Sequence, residues 1–252
     1  MSEITLTFEG ELNDFLSQRE KHTPISISIS HPTGIKDVIE SLGVPHPEVD
    51  IIIVNNHSVD FSYKVTHRDV IFIYPHNVHL QTSPIIHLAP QIQDIPTFIV
   101  DTHLGKLATY LRMLGFDTIY QNNYGDQRLA EISYLEDRTL LSRDLGLLKR
   151  KFVKRGYFTR STIPRNQLIE IINRYQLVNK ITPFSRCIQC NGIIKPIHKS
   201  RIEMQLQEKT RKYYDEFQIC DGCSQIYWKG SHYYHMQNFI RQIILKFDVH
   251  EN

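Results

Sequence analysis

Short apolar runs bounded by turn residues divide the first 75 residues into strand, strand, helix, strand and strand. The strand runs are Glu3 to Phe8, Ile25 to Ile29, Asp50 to Val54 and Asp69 to Tyr74. Between the second and third, Val38, Ile39 and Leu42 share one face of a helix expected over Gly34 to Leu42, with Thr33 placed to cap its start and Gly43 to end it. From Thr97 the period changes. Phe98-Ile99-Val100-Asp101 reads as a short buried strand, and Leu104, Leu107, Ala108, Leu111 and Leu114 form one face of a helix closed by Gly115. Asp117 to Tyr120, Thr139 to Ser142 and Gly156 to Arg160 read as further strands, separated by helices that begin at Gly125-Asp126 and at Asn166. Strands alternating with helices predict an α/β fold, a parallel sheet flanked by helices. Met236, Phe239, Ile240, Ile243, Ile244 and Phe247, at helical spacing, predict a last helix packed on that body.

The boundaries expected from these changes of pattern are an N-terminal domain over 1–80, a proline-containing linker over 81–96, an α/β domain over 97–180, a cysteine-bearing module over 181–235 and a C-terminal helix over 236–252. No apolar run approaches the roughly 20 residues that span a bilayer. The start, Met1-Ser2-Glu3-Ile4, has neither the basic stretch nor the apolar segment of a secretory signal, so a cytoplasmic location with reduced thiols is expected.

Charge divides the chain as sharply as the pattern does. Residues 1–97 carry 5 Lys+Arg against 12 Asp+Glu, whereas residues 98–252 carry 24 against 15. An acidic module is joined to a basic one, and a polyanion such as RNA is expected to meet the second half.

All 4 cysteines fall in two Cys-x-x-Cys pairs, Cys187/Cys190 and Cys220/Cys223. That spacing aims two thiolates at one tetrahedral ion, and four thiolates close the shell, so the expectation is a structural zinc site with no open catalytic position. His232 and His235 are then not needed as ligands. Lys195, Lys199, Arg201, Lys209, Arg211, Lys212, Tyr213, Tyr214 and Trp228 accompany the cysteines. Cations that track phosphates and rings that stack on bases suit RNA with unpaired segments. The bland alternative is that Trp228 packs beneath the zinc loops.

In open α/β sheets ligands gather beyond the carboxyl ends of the strands. Asp101 closes one expected strand and Asp144 follows another, while Asp126 opens a helix and reads either as a third acidic ligand or as a helix cap. Carboxylates gathered there repel unless a hard cation neutralises them, which suits magnesium or manganese and phosphodiester hydrolysis. Arg143, Lys106 and Arg112 are expected to hold phosphates, with Lys149 and Arg150 extending the basic track. Each residue also has an ordinary reading: turn or cap for the aspartates, surface pair or solvated face for the cations.

Two resemblances sharpen the picture. Val54-Asn55-Asn56-His57 and the run from Arg68 to Pro75 resemble the β-grasp, ubiquitin-like sulphur carriers of the ThiS type, over about the first 80 residues. Carriers end in a free Gly-Gly, whereas this chain continues through Tyr74-Pro75-His76-Asn77, so the resemblance implies a domain that packs on, recruits or restrains a neighbour. The run from Phe98 to Thr118, with Leu140-Leu141-Ser142-Arg143-Asp144 and the two cysteine motifs, resembles the PIN-like RNases named after the C-terminal domain of the mutator-seven (mut-seven) protein. That resemblance implies a PIN-like fold with a zinc ribbon, metal-dependent RNase activity, and acidic ligands at Asp101 and Asp144, with Asp126 at a loosely defined acidic position. The competing expectation is a non-catalytic RNA adaptor or scaffold whose ubiquitin-like domain recruits a protein partner or holds the basic surface in check.

Overall fold

The computed structural model describes residues 2–80, 84–90 and 94–248. They gather into two compact units, one drawn from residues 1–92 and 125–158, the other from 93–124 and 159–252.

The first unit opens with β1 (Ser2–Phe8), β2 (Ile25–Ile29), α1 (Ile35–Ser41), β3 (Val49–Val54), β4 (His57–Val59) and β5 (Val70–Pro75). They build a five-stranded sheet in the order β2-β1-β5-β3-β4, in which only β1 and β5 run parallel. Ile35, Val38 and Ile39 of α1 close the core over Ile4, Leu6, Ile52, Ile71 and Ile73. Each such side chain contributes about 1.5–3 kcal/mol by leaving water. Asn55 and Asn56 adopt φ of 48° and 69°, the left-handed pair that a two-residue hairpin requires, and this turn creates β4. Too short to show a period, β4 has no counterpart in the sequence reading.

Gly43, at φ 103°, ends the first helix as expected, but Thr33 does not cap it. Gly34 holds the N-cap position, and the Thr33 hydroxyl donates to His31 O at 3.0 Å, taken up by the turn before the helix. Part of the expected linker lies along this sheet. Leu88 N–H donates to Asp50 O at 2.7 Å, Ala89 N–H reaches the Asp50 carboxylate at 3.2 Å, and the Leu88 side chain joins the core. Linker residues 81–83 and 91–93, Ile92 among them, lie outside the described residues.

The chain passes into the second unit as β6 (Phe98–Val100), α2 (Gly105–Met113) and β7 (Thr118–Ile119), with β6 and β7 parallel. Leu107, Ala108 and Leu111 are fully buried, the face that the apolar spacing predicts. It then returns to the first unit as α3 (Asp126–Leu135), β8 (Thr139–Ser142), α4 (Leu145–Leu148) and β9 (Gly156–Phe158), with β8 and β9 parallel.

Within the first unit, bonds far apart in sequence tie this returning segment to the N-terminal sheet. The buried His46 ring places Nδ1 at 2.6 Å from Glu40 Oε1 and Nε2 at 2.8 Å from Val153 O. The ring thus has a partner at each nitrogen, one on α1 and one on the returning segment. Lys149 Nζ donates to Glu40 O at 2.6 Å, Phe158 N–H donates to the fully buried Glu48 at 2.6 Å, and Phe15 meets Phe158 edge-on. Replacing His46 by alanine should cost on the order of 3 kcal/mol in chemical denaturation, because two hydrogen bonds of a buried ring are lost at once. An unchanged midpoint would contradict the arrangement.

The second unit is completed by α5 (Pro164–Arg174), β10 (Ile194–Ile197), α6 (Glu208–Tyr213), β11 (Phe217–Cys220), β12 (Ile226–Trp228) and α7 (Ser231–Asp248). The strands β10, β11 and β12 pair antiparallel in that order. Ile240 and Ile243 of α7 are buried, Phe239 stacks on Tyr110 of α2 at 4.6 Å, and Arg165 of α5 donates to Gln242 at 3.2 Å. The last helix therefore packs on the body as expected, although it starts at Ser231, ahead of the first apolar position of the pattern. No helix among the described residues is long and apolar enough to cross a membrane.

Candidate functional site

Two turns of identical construction carry the cysteines. In the first, Cys187 N–H donates to Gly192 O at 2.8 Å and Asn191 N–H returns to Cys187 O at 2.9 Å; in the second, Cys220 N–H donates to Gln225 O and Ser224 N–H to Cys220 O, both at 3.0 Å. Asn191 and Ser224 occupy the same step of each turn, at φ 73° and 60°. The result brings the four Sγ atoms within 4.8 Å of one another.

Cys190 N–H, Gly192 N–H and Gly222 N–H point at sulfurs, at 3.3 to 3.5 Å, and the Tyr227 hydroxyl lies 3.0 Å from Cys187 Sγ. A Cβ on Gly192 would stand 2.7 Å from Cys220 Sγ, so the sulfur cage occupies the space a side chain needs. Burial works to raise the Cys187 pKa, but the Tyr227 hydroxyl and the N–H groups outweigh it and hold it at about 7. Cys190 is pushed up to about 12, by burial first and then by hydrogen bonds shared with the other thiols. Four soft donors within 4.8 Å of one another fit a dication such as zinc. The residues present could hold it without any histidine: His232 and His235 lie exposed at the start of α7.

The guanidinium expected at phosphates, Arg112, serves this cage instead. Its residue is 4% exposed, Nε donates to Thr118 O at 2.8 Å, and Nη1 donates to Gln189 O at 2.7 Å and Ile188 O at 3.3 Å. Burial lowers its pKa, while the nearby Cys190, Cys187 and Asp117 act in the opposite direction. Beside it, the Asn191 amide bridges Thr118 N–H and Asp117 Oδ1, and Arg186 pairs with Asp117 at 3.1 Å. Arg186, Asn191 and Tyr227 belong to the cysteine motifs by position, but only the asparagine directly after Cys-x-x-Cys, a residue tolerant of the left-handed step, signals its role, and nothing local signals that of Asp117. Arg112→Ala would take this donor from the buried Thr118 carbonyl and from the part-buried carbonyls of Ile188 and Gln189, and should lower stability by about 2–4 kcal/mol and release zinc more readily, as read by denaturation and by a colorimetric zinc chelator. Full stability in that variant would contradict the assignment.

The acidic residues stand as follows. Asp101, 5% exposed and in the second unit, directly follows β6 and opens a short turn over Thr102–Leu104. Asp144, exposed and in the first unit, follows β8 and caps α4: Oδ1 accepts Gly146 N–H at 2.7 Å and Leu147 N–H at 3.1 Å. Its own N–H donates to Ser142 Oγ at 2.9 Å. Among the described residues no hydrogen bond reaches Asp144 Oδ2. Asp126 is the first residue of α3, with Gly125 at the cap position, so it is not a helix cap; its Oδ2 pairs with Arg150 at 3.3 Å. Of the remaining cations, Lys106 is exposed over the Tyr110 ring, Arg143 lies over the Phe158 ring, and Lys149 is engaged with Glu40 O.

Parallel strands, flanking helices and a four-cysteine cluster that could hold a metal define a mixed α/β protein. The Mut7-C RNAse domain model matches residues 96–240, more than half of the chain, and the Mut7-C ubiquitin model matches residues 1–81. The chain belongs to the Mut7-C RNAse domain family and carries the Mut7-C ubiquitin domain ahead of it. No curated protein and no solved structure matches it.

Proposed function

We propose that this chain is a metal-dependent ribonuclease that hydrolyses RNA phosphodiester bonds at a PIN-like sheet, with its zinc ribbon guiding single-stranded RNA and a β-grasp domain at its N-terminus. The observation that carries the reading is the Mut7-C RNAse domain match, joined to two carboxylates placed directly beyond the ends of parallel strands, Asp101 after β6 and Asp144 after β8. Asp101 and Asp144, with Asp126, would hold magnesium or manganese. Such an ion, when bound, supplies an activated water and neutralises the leaving oxygen.

The protein's own contribution is positional. Two backbone N–H groups fix Asp144 Oδ1 and thereby aim Oδ2, which is the oxygen left for a ligand. Lys106 and Arg143 are the cations for phosphate, and Arg150 can join them because its exposed pair with Asp126 is worth only about 0–1 kcal/mol. Zinc-loaded protein incubated with a mixed RNA pool should generate new ends with manganese and none without it. Equal cutting in both, or in neither, rules the reading out.

A second reading concerns the N-terminal domain, which would restrain the nuclease. It is favoured by the bonds that His46, Glu40 and Glu48 make to Val153, Lys149 and Phe158, the last lying beneath Arg143. The double variant His46→Ala/Glu48→Gln should then cut faster than the native chain, and a rate at or below native would end the idea.

A further inference from the structure

Beside the four cysteines, and wholly within the second unit, lies a cavity of about 740 Å³ between the ribbon strands and the start of α7. Its walls are unusual for a zinc module that has only a structural task. Tyr227 and Trp228 come from β12, Phe184 from the approach to the first cysteine turn, and Tyr233 from the first turn of α7. Phe184 and Tyr233 already pack ring to ring at 4.7 Å, while Trp228 is 39% exposed, its ring 6.4 Å from that of Tyr214. The bland expectation that Trp228 packs beneath the zinc loops is therefore not met. The cavity is large enough for a nucleoside, and an open wall of rings is what an unpaired base requires.

The rim supplies charge of the matching kind. Lys199 and Lys229 stand on it, held to Asp215 at 2.8 Å and Glu216 at 2.6 Å, and both carboxylates are largely exposed. Exposed pairs of this type are nearly neutral in energy, so a phosphate can take the place of either carboxylate. Asp215 and Glu216 line the cavity as well, while residues 181–235 as a whole carry 8 Lys+Arg against 5 Asp+Glu. Tyr227 links the cavity to the metal centre, since it lines the wall while its hydroxyl contacts Cys187 Sγ.

We infer that this cavity is a base pocket: it takes one unpaired nucleobase of single-stranded RNA, stacked against Trp228, with the flanking phosphates at Lys199 and Lys229. This rests on the ribonuclease reading for the identity of the polymer, and it adds a strand-anchoring site separate from the aspartates. Duplex RNA, with its bases paired and stacked, cannot enter.

Trp228 is the 1 tryptophan of the chain, so its fluorescence reports on this pocket alone. The full-length, zinc-loaded Asp144→Asn chain, which should not cut, is titrated with a short single-stranded oligouridylate and with a duplex of mixed sequence, while anisotropy of a terminal label reports total binding. The single strand should quench Trp228 and the duplex should not. Trp228→Ala should weaken single-strand binding by about ten-fold or more, and Trp228→Phe should restore most of it. Binding seen by anisotropy with no quench, equal quenching by the duplex, or an alanine variant that binds as well as its parent would overturn the pocket. Native protein that cuts RNA without quenching would sink the pocket and leave the nuclease; quenching by a chain that never cuts would support the pocket while the nuclease reading fell.

Discussion

Cys220→Ser is expected to abolish stable zinc binding and to unfold the ribbon, with loss of the strand pairing that joins β10, β11 and β12. Cys220 is buried at the end of β11, its N–H and C=O both close the second turn, and its sulfur lies 3.4 Å from Cys190 Sγ. A serine hydroxyl is a hard, weakly acidic donor that a soft four-sulfur centre does not accept in place of thiolate. Zinc in small modules of this kind contributes roughly 10–16 kcal/mol, more than the ribbon's own core could replace. Few large side chains in residues 181–230 are fully buried: Ile202 and Phe217 are, while Met204 is 93% exposed. The effect should spread to β7 through Arg112 and Asn191, which bond to the first cysteine turn and to Thr118 together. Metal analysis by mass spectrometry should find one zinc per native chain and none in the variant, and limited proteolysis should cut the variant first between residues 187 and 223. A variant that holds a full equivalent of zinc and resists the protease would refute the structural role.

The second large effect is expected at Asp144, where two roles can be separated by choice of substitution. Asparagine caps a helix as well as aspartate does, so Asp144→Asn keeps the bonds from Gly146 N–H and Leu147 N–H. What it loses is the charge on Oδ2. Metal ions at such sites supply several kcal/mol of charge stabilisation, so cleavage should fall by about a thousand-fold with the unfolding midpoint unchanged. Asp144→Ala should lose the same activity and in addition about 1 kcal/mol of stability, the cost of the missing cap. If asparagine preserved activity and only alanine reduced it, Asp144 would be a cap and nothing more.

Much of this arrangement could be read from residues alone, for reasons that differ from element to element. The faces of α2 and α7 follow from Leu107, Leu111, Ile240 and Ile243, whose spacing has the period of the helix that buries them. The cysteine centre was legible because a metal turn needs its ligands at fixed short spacing, which leaves a local signature. The place of Arg112 is not legible, because its partners, the carbonyls of Ile188 and Gln189, lie 76 and 77 positions away, and backbone oxygens leave no mark on a sequence. The same reason hid the association of residues 125–158 with the N-terminal sheet, which rests on Val153 and Glu40 carbonyls and on Phe158 N–H, 107 to 110 positions from their partners. Thr33 illustrates a local failure: the helix begins at Ile35, so Gly34 holds the cap position and Thr33 lies one residue too early.

The proposed metal-dependent nuclease activity is tested by the rate at which purified Asp101→Asn protein cuts RNA. With zinc content, unfolding midpoint and single-strand affinity matched to the native chain, the native protein should cut RNA in the presence of manganese and the variant should cut none above background. Cleavage by that variant at the native rate would contradict the proposal.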